Sequence, residues 1–480
     1  MQVIDKNIVF PLTEPQRQFV RSPAPIVALI GPEGEGKTYA GFVALTIHAA
    51  ERMKGQLLRV AIIRDTFENL QTKTIPSINK AIATIAEKNE FPGYVQSWEW
   101  SRGGKRLICQ APRIEVDLFG ADDLASISRL QGGEWSLIWI EEPAPMYEGN
   151  SAGIPRGVFD ACMSRAARGG GAMRLQVTQN PADEDHWSHD VFISAPIMRP
   201  DWAPMMWTDV INILPGSNPA RTEEMRQASV AAYRNNPALT ARYIGGKWAF
   251  VQVGEKVTPE YYDSIEGRAH HYANRPIAVI PGALGFRSWD GGHNPTCLIG
   301  QVSPSGRLHF IHGFRGEMIG MKQLIESSVK PTIAAYYARV TQWIDTGDPT
   351  LSTGEAADIE QSPARVIEKA FDTTFQGASH WPAVKEPMKA ALNLGIDGRP
   401  YVQIGSECEI LHKALRGGWH YLKMASGEVV RDKPVKDKHS HPGDCFGALC
   451  LKLLGNEVKK PIKQQVVSIP SGNSSWGGLA

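Results

Sequence analysis

The amino-acid sequence predicts an α/β protein with two domains, and two observations lead to this expectation. Strand-like and helix-like segments alternate through residues 1–180, and a second alternating pattern begins at residue 283. The 480 residues exceed what one ordinary hydrophobic core can organise, since domains average about 150 residues. Apolar residues make up 42% of the chain. This content supports packed cores and excludes a mostly disordered or collagen-like protein.

The predicted domain boundaries follow from changes in composition along the chain. Residues 1–245 form the first predicted domain, and residues 281–458 form the second. Residues 246–280 mix Gly, Pro and polar residues, so we expect a hinge or linker between the domains. Residues 459–480 carry turn-forming residues without periodicity, and we expect a flexible C-terminal tail there.

Charge and cysteine content restrict the class of protein. The 51 Lys and Arg residues and the 50 Asp and Glu residues give a net charge of +1, so any nucleic-acid surface must be local. No apolar run reaches the roughly 18 residues of a membrane helix, and MQVIDKNIVF lacks the features of a signal peptide. The 6 cysteines form no CxxC pair, which favours a reducing cytosol over a disulfide framework. We therefore expect a cytoplasmic protein that is not secreted.

Short apolar runs and longer amphipathic segments predict the elements of the first half. The expected strands lie at 26–30, 58–64, 136–140 and 174–179, and a long helix is expected at 38–53. Strands that are apolar on both faces indicate a parallel sheet covered by helices on both sides. The first half is therefore expected to be an open, mostly parallel α/β sheet.

The segment GPEGEGKT, which begins at Gly31, matches the phosphate-binding loop pattern GxxxxGK[ST] in full. A predicted strand precedes it and a predicted helix follows it, which is the context this loop requires. Gly31, Gly34 and Gly36 let backbone N–H groups turn inward toward phosphates. Lys37 is expected to reach the β- and γ-phosphates of ATP, and the hydroxyl of Thr38 is expected to ligate Mg²⁺. The pattern predicts a P-loop nucleotide-binding domain.

Two carboxylates end the apolar strand that contains Leu137–Ile140. A carboxylate at the end of such a strand can hold Mg²⁺, and the next one can polarise the attacking water. We assign Glu141 to the metal of the bound nucleotide and Glu142 to activation of the water. The first position is more often Asp in P-loop ATPases, so Glu141 departs from the usual residue type.

Together with these motifs, the chain resembles the large terminase subunit of tailed bacteriophages, a DNA-packaging ATPase and nuclease. The resemblance covers residues 10–455 approximately. It is carried by the segments LTEPQRQF, AIIRDTF, LQGGEWSLIWIEEP, VTQNP and RYIGGKWAF. It implies an ASCE-type P-loop NTPase domain followed by an RNase H-like nuclease domain.

The resemblance also implies roles for residues outside the phosphate loop. Gln16 corresponds to the contact with the adenine base. Arg64 corresponds to an arginine that stabilises charge on the γ-phosphate, in its own subunit or in a neighbour; a capping or ion-pair role is the alternative. Thr178 and Asn180 correspond to residues that sense the γ-phosphate, with turn formation at a strand end as the alternative.

The second half contains aspartates at positions where a nuclease would need them. TCLIGQV and RLHFIHGF flank the turn SPSG and predict an antiparallel hairpin. Asp290 ends the strand before this hairpin, Asp348 follows a later strand, and Asp444 opens the helix HPGDCFGAL. Fifty acidic residues make such a set easy to find by chance. The resemblance strengthens it, because an RNase H-like sheet brings these ends to one edge.

Convergent carboxylates can hold two Mg²⁺ or Mn²⁺ ions about 4 Å apart for phosphodiester cleavage. The middle ligand stays open between Asp348, which the Gly-Asp-Pro pattern of the family favours, and Asp345, which strand geometry allows. Glu317 is a further candidate ligand, with a surface carboxylate as the alternative. His439 and His441 lie near Asp444, beside the nuclease edge or simply on a loop surface.

Local basic clusters are candidate contacts for double-stranded DNA. They lie at 164–174 and 431–438, and each can also be a solvated face. The resemblance implies further partners: a small terminase subunit, the portal protein of a procapsid, and other copies in a homo-oligomeric ring. The free protein is expected to be a monomer, and the C-terminal segment is either a portal-docking peptide or a disordered end. No membrane partner is expected.

The sequence thus predicts an ATP-driven motor that moves double-stranded DNA into a procapsid and a metal-dependent endonuclease that cuts concatemeric DNA. The expected location is the cytoplasm of an infected host cell. One alternative is a helicase-like DNA-remodelling ATPase without nuclease activity, in which the aspartates are incidental. A second alternative is a scaffold that binds ATP as a structural ligand and hydrolyses it negligibly.

Overall fold

The chain folds into two compact units, which divide between Val251 and Gln252. The computed structural model describes residues 8–101, 103–122, 128, 130, 132–146, 153–166, 173–197, 207–353, 362–378, 381–424 and 428–455. The tail predicted at 459–480 lies outside the described residues, as do residues 167–172 of the first basic cluster.

The first unit is built on an eight-stranded sheet with the order β3-β4-β5-β2-β6-β7-β1-β8. Its strands are β1 Ile26–Ile30, β2 Leu58–Arg64, β3 Trp98–Ser101, β4 Arg106–Cys109, β5 Ile114–Gly120, β6 Leu137–Glu141, β7 Arg174–Gln179 and β8 Thr208–Asn212. The six strands β5, β2, β6, β7, β1 and β8, which are neighbours in this spatial order, pair in parallel. β3 and β4 add an antiparallel edge. β7 lies between β1, which leads into the phosphate loop, and β6, which ends at Glu141.

Helices cover both faces of this sheet, as the predicted α/β class requires. They are α1 Glu14–Arg21, α2 Lys37–Arg52, α3 Phe67–Asn69, α4 Ile75–Lys88, α5 Gly93–Gln96, α6 Arg156–Ala166, α7 Trp187–His189, α8 Glu223–Tyr233 and α9 Pro237–Leu239. π-helical turns follow α3, α7 and α9, at Leu70–Thr74, Asp190–Ser194 and Thr240–Ile244. All five residues of β1 are buried. Val27 and Leu29 pack into one core and Ile26, Ala28 and Ile30 into the other, so two cores lie on opposite faces of the sheet.

The second unit contains a six-stranded mixed sheet with the order β16-β15-β12-β13-β14-β19. The strands of the unit are β9 Glu255–Lys256, β10 Ser264–Ile265, β11 Arg268–Ala269, β12 Leu284–Asp290, β13 Thr296–Val302, β14 Leu308–Arg315, β15 Trp343–Gly347, β16 Phe375–Gly377, β17 Gly395–Ile396, β18 Arg399–Pro400, β19 Val402–Ile404, β20 His420–Lys423 and β21 Val429–Pro434. β13 and β14 pair antiparallel, as the hairpin prediction required. β12 and β15 pair in parallel, so Asp290 and the segment after β15 lie at the same end of the sheet.

Helices also pack on the sheet of the second unit. They are α10 Met321–Leu324, α11 Lys330–Tyr336, α12 Pro363–Phe371, α13 Lys385–Asn393, α14 Glu409–Lys413 and α15 Ser440–Leu454. π-helical turns lie at Ile325–Val329 and Ala414–Gly418, and 3₁₀ turns at Pro349–Ser352 and Ser406–Cys408. Phe446 and Leu449 of α15 enter the core with Phe286 and Phe310 of the sheet. This packing fixes the N-terminal half of α15, which carries Asp444, against the sheet.

Most of the segment that we expected to be a linker, 246–280, is built into the second unit. Glu255–Lys256 pairs with His420 and Tyr421 in a small antiparallel sheet. The side chain of Tyr261 is buried in the core of this unit. Apolar and aromatic side chains in this segment find partners more than 100 residues away, which its local composition could not indicate.

Two further observations concern the whole described chain. The six cysteines are all buried free thiols, and they are Cys109, Cys162, Cys297, Cys408, Cys445 and Cys450. Among the helices that the structure describes, none combines the length and the apolar character needed to cross a membrane.

Candidate functional site

The phosphate loop runs from the end of β1 into the first turn of α2, as predicted. Gly34 and Gly36 have φ angles of 73° and 79°, in the region that favours glycine. Gly36 is also the N-cap residue of α2. The two positive φ angles turn the loop so that α2 starts at Lys37, directly after the glycines. A helix N-terminus at this point is a suitable site for an anion.

The ammonium of Lys37 lies between the loop and the carboxylate of Glu142. Nζ donates to the carbonyl of Pro32 at 2.7 Å and to Oδ1 of Asn180 at 2.9 Å, and lies 3.7 Å from Oε1 of Glu142. Burial lowers the pKa of Lys37, while the negative charge of Glu142 opposes the shift. The single cation of the loop is thus held over the edge of the sheet, between the end of β7 and the end of β6.

Thr38 and Glu141 meet directly. The hydroxyl of Thr38 donates to Oε1 of Glu141 at 2.7 Å. Arg64 donates to Oε2 of Glu141 at 2.9 Å, and the hydroxyl of Thr74 also contacts this oxygen. Glu141 is only 2% exposed. Its three hydrogen-bond partners, Thr38, Arg64 and Thr74, orient the carboxylate. A hydroxyl and a carboxylate are the hard oxygen ligands that Mg²⁺ prefers.

Glu142 adopts an unusual backbone conformation with φ of 46°. Its N–H donates to the carbonyl of Thr178 at 2.8 Å. Its carboxylate accepts from the backbone N–H and from Nδ2 of Asn180, at 2.9 and 3.0 Å. Burial raises the pKa of Glu142, and the charge of Lys37 opposes the shift. A strained backbone and an oriented carboxylate of raised basicity are typical of a functional position.

The structure distinguishes the two residues predicted to sense the γ-phosphate. The side chain of Asn180 accepts a hydrogen bond from Lys37 and donates one to Glu142. Asn180 therefore links the cation of the phosphate loop to the carboxylate of Glu142. The hydroxyl of Thr178 instead accepts from Nε1 of Trp139 at 2.8 Å, and Thr178 is buried within the sheet. Thr178 contributes mainly its carbonyl, which holds the backbone of Glu142.

Gln16 and Arg64 also contact residues of this site. Nε2 of Gln16 donates to the carbonyls of Glu35 and Gly36 at 3.3 and 3.2 Å, and Oε1 accepts from the N–H of Thr13. Gln16 therefore supports the phosphate loop from α1. Arg64 pairs with Glu141, which corresponds to the ion-pair alternative for this residue.

Sequence reasoning missed a second set of side chains around the phosphate loop. Its members are Glu33, Glu35, Asn218, Arg221 and Tyr233, which are connected by hydrogen bonds. The signal in the sequence was the pair of acidic residues inside a loop that binds phosphate. Their partners lie 180 to 200 positions further along the chain, so only the fold reveals them.

At the end of the β12 strand, the second unit brings together the three aspartates that we favoured. Oδ2 of Asp290 lies 2.6 Å from Nδ1 of His441. Asp444 pairs with the ammonium of Lys436. Burial raises the pKa of Asp444 to about 6; the ammonium of Lys436 opposes this shift, and the charges of Asp290 and Asp348 add to it. Mutual repulsion of this kind occurs only between carboxylates that lie near one another.

Asp345 and Asp348 occupy different environments. Asp345 is 1% exposed and accepts from Nε and Nη2 of Arg287 at 2.8 and 2.6 Å, and from Nε1 of Trp289 at 2.9 Å. Both of its oxygens are therefore engaged in the core. Oδ1 of Asp348 accepts from the N–H and hydroxyl of Thr350 at the surface. This contrast favours Asp348 as the middle ligand.

The carboxylate oxygens of Asp290, Asp348 and Asp444 suit a hard divalent cation. Within the described ranges, no group of three or more His, Cys, Asp or Glu side chains is arranged to hold a metal ion. Lys436 and His441 engage Asp444 and Asp290, respectively. Burial is the main cause of the raised pKa of Asp444, and the charges of Asp290 and Asp348 add to it. A cation would relieve the repulsion among these charges.

The remaining candidates lie at the surface or are already paired. Glu317 is exposed and pairs with Arg315 at 2.5 Å, which corresponds to its surface alternative. In the basic cluster 431–438, Arg431 pairs with Glu255 and Lys436 pairs with Asp444. These two cations are therefore partly neutralised within the protein.

Comparison with known proteins gives structural likenesses. No protein-family model matches the chain, and no curated protein matches it. The large terminase of a thermophilic bacteriophage is 14% identical with a TM-score of 0.41, covering 93% of this chain and 100% of that one. The same terminase in complex with ADP gives a TM-score of 0.40 at 14% identity, covering 92% of this chain and 100% of that one.

Two further structures match parts of the chain. The nuclease domain of the P22 large terminase is 9% identical with a TM-score of 0.25, and covers 39% of this chain and 91% of that one. The bacteriophage Phi-29 viral genome packaging motor assembly is 12% identical with a TM-score of 0.33, and covers 70% of this chain and 95% of that one. The predicted resemblance to large terminases is thus also found among solved structures.

Proposed function

We propose that the first unit hydrolyses ATP to drive double-stranded DNA into a procapsid, and that the second unit cuts concatemeric DNA with divalent metal ions. The observation that carries this proposal is the convergence of Lys37, Thr38, Glu141 and Glu142 at one edge of the sheet. A phosphate-binding cation, a metal-binding hydroxyl with its carboxylate, and a base are the parts that phosphoryl transfer to water requires.

Each side chain has a defined task in hydrolysis. Thr38 and Glu141 hold Mg²⁺, which supplies charge neutralisation at the β- and γ-phosphates when it is bound. Lys37 exchanges its contacts with Pro32 and Asn180 for phosphate oxygens. This exchange frees the amide of Asn180 and leaves Glu142 to accept a proton from the attacking water. Burial favours proton acceptance by Glu142, because it raises the pKa of this carboxylate.

The cutting activity would reside in Asp290, Asp348 and Asp444, which would hold Mg²⁺ or Mn²⁺. The support for this proposal is geometric: Asp290 ends β12, Asp348 follows β15, the parallel neighbour of β12, and His441 on the helix of Asp444 contacts Asp290. The cations would activate the water and stabilise the leaving 3′ oxygen. The Asp290 partner His441 and the Asp444 partner Lys436 would have to release these carboxylates when the metal binds.

The wider assignment follows the same proposal. The partners would be double-stranded DNA, a small terminase subunit, the portal protein and further copies in a ring, in the cytoplasm of an infected host cell. The competing candidates remain an ATPase that remodels DNA without cutting it and an ATP-gated scaffold. Measurements of ATP turnover and of DNA cleavage distinguish both candidates from the proposed function.

The ATPase is tested with Glu142→Gln in the full chain. This substitution removes the base but keeps the shape of the side chain, so we expect kcat to fall by about 10²- to 10⁴-fold while ATP still binds. Glu87→Gln, which changes an exposed carboxylate on α4, is the matched control and should leave kcat unchanged. Equal turnover by wild type and Glu142→Gln would contradict the proposal, and negligible turnover by wild type would support the scaffold.

The nuclease is tested with supercoiled plasmid, the full chain and Mg²⁺ or Mn²⁺. We expect cleavage by wild type and none by Asp290→Ala or Asp444→Ala. Glu317→Gln, which changes an exposed carboxylate in the same unit, should cleave normally. A wild-type chain that hydrolyses ATP but leaves plasmid intact under all these conditions would support the remodelling ATPase instead.

A further inference from the structure

The phosphate loop carries two carboxylates that its function does not explain. Glu33 and Glu35 flank Gly34, so the loop contains two negative charges beside the one positive charge of Lys37. Carboxylates near a bound triphosphate are repulsive unless a cation or a set of N–H donors compensates them. The structure shows how each of the two is compensated, with Arg221 near both carboxylates.

Glu35 is compensated mainly by backbone groups, and Nη1 of Arg221 lies 3.9 Å from its Oε1. Glu35 is 2% exposed, and its carboxylate accepts from the N–H groups of Gly216 and Asn218 at 3.0 and 2.7 Å. The side-chain amide of Asn218 returns a hydrogen bond of 2.7 Å to the carbonyl of Gly34. These three hydrogen bonds hold the segment 216–221 against the phosphate loop.

Glu33 is compensated by a guanidinium from the same segment. Nη2 of Arg221 lies 3.4 Å from Oε1 of Glu33, Nη1 contacts the carbonyl of Glu33, and the side chain is 11% exposed. Nη2 also donates to the hydroxyl of Ser229 at 2.5 Å, and Tyr233 donates to Oε2 of Glu33 at 3.1 Å. Both of these partners lie on α8.

Arg221 lies directly against Gly34 of the phosphate loop. A Cβ added to Gly34 would come within 2.8 Å of Nε and 2.9 Å of Cζ of Arg221. The guanidinium therefore covers Gly34, and the glycine is needed at this position for space as well as for its φ of 73°. A planar cation at this point is suited to bidentate recognition of phosphate.

We propose that Arg221 is a phosphate-contacting residue that acts within its own subunit, and that Glu33 holds it when no nucleotide is bound. This proposal rests on the proposed ATPase function. A triphosphate attracts the guanidinium more strongly than the Glu33 carboxylate, which is 31% exposed, together with the Glu35 carboxylate, which lies 3.9 Å from Nη1. Arg221 moves from Glu33 to the terminal phosphate, while Glu35 keeps the segment 216–221 attached.

The consequence is that ATP and ADP are distinguished by one contact. Loss of the terminal phosphate returns Arg221 to Glu33. Because Ser229 and Tyr233 contact this pair, α8 senses the exchange. Arg64 does not compete for this role in the present arrangement, since its guanidinium is paired with Glu141.

The test is a double-mutant cycle with Arg221→Ala and Glu33→Gln in the full chain, read by the affinities for ATPγS and ADP. We expect Arg221→Ala to weaken ATPγS binding by about tenfold or more and to leave ADP binding within about twofold. We expect Glu33→Gln to tighten ATPγS binding several-fold, and this gain to vanish in the double variant because the two residues act through one contact.

The matched control is Arg226→Ala, which removes an arginine of α8 whose Nη2 donates to the carbonyl of Asn218. It should not change the preference for ATPγS over ADP. Arg221→Lys keeps the charge without the planar fork and is measured beside Arg221→Ala, so that a folding defect in the latter does not decide the result.

Two outcomes would overturn the inference. One is an equal loss of ATPγS and ADP affinity in both Arg221 variants, which would make Arg221 a structural support of the loop. The other is an unchanged gain from Glu33→Gln in the absence of Arg221. A wild-type chain that binds neither nucleotide would instead contradict the proposed ATPase function, so the two failures are distinguishable.

Discussion

Arg64 donates a hydrogen bond of 2.9 Å to Oε2 of Glu141, while Thr38 donates one of 2.7 Å to Oε1 of the same carboxylate. Arg64 ends β2 and Glu141 ends β6, and these two strands are neighbours in the sheet. The pair is 11% and 2% exposed, so water screens it little. The arginine thus orients the carboxylate that is proposed to serve the metal.

We predict that Arg64→Ala raises the Mg²⁺ concentration needed for half-maximal ATPase activity by about tenfold, the range seen when a group that orients a metal ligand is lost. Arg64→Lys should recover part of this loss, because the ammonium still faces Glu141. The measurement is ATPase rate against Mg²⁺ at saturating ATP. An unchanged Mg²⁺ requirement with a lower kcat would instead assign Arg64 to the γ-phosphate.

Asp345 and Asp348 provide a matched pair of substitutions that separate stability from cutting. Asp345→Asn breaks a buried pair with Arg287, so we predict a loss of about 3–5 kcal/mol in the free energy of unfolding of the second unit. Asp348→Asn keeps an acceptor for Thr350 at the surface. We predict a change below about 1 kcal/mol there, together with loss of metal-dependent plasmid cleavage.

Urea unfolding and plasmid cleavage, measured on both variants, check this pair of predictions. The reverse pattern, with a stable Asp345→Asn that no longer cuts and an active Asp348→Asn, would make Asp345 the middle ligand. Arg287→Met offers a further control. It should destabilise the protein through the same buried pair, because Asp345 would be left without its cation.

The same two aspartates show which features of the site could be predicted from the sequence and which could not. The strands, the phosphate loop and the carboxylates at strand ends follow from local patterns, since apolar runs and glycine spacing report directly on local structure. The choice between Asp345 and Asp348 depends on Arg287, which is the register partner of Asp345 on the neighbouring strand. A pairing across 58 positions is a property of the folded sheet.

Gln16 has two candidate roles in the nucleotide site. The resemblance implies contact with the adenine base, and in the structure its amide donates to the carbonyls of Glu35 and Gly36. We predict that Gln16→Ala weakens binding of ATP and GTP by similar factors, because it loosens the loop that holds the phosphates of both. Parallel titrations with the two nucleotides check this. A selective loss of ATP binding would show that Gln16 reads the base.

The nuclease site should respond to pH through Asp444. Its pKa is raised to about 6 by burial and by the charges of Asp290 and Asp348, against the opposing ammonium of Lys436. Below this pH the carboxyl group is protonated in the folded protein, and a metal ion must displace the proton. Above it the carboxylate is free to bind. The affinity for Mn²⁺ should therefore be constant above pH 7 and fall as the pH drops below 6.

We predict that Mn²⁺ binding attributable to Asp444 is about tenfold weaker at pH 5 than at pH 8, since each pH unit below the pKa costs up to tenfold in the ionised fraction. The measurement is Mn²⁺ titration of wild type and Asp444→Asn, whose difference isolates this site from the phosphate loop. His441 is a further titratable neighbour, and it contacts Asp290. His441→Asn should therefore retain the pH dependence, and equal Mn²⁺ affinity at pH 5 and pH 8 in wild type would contradict the role of Asp444 as a ligand.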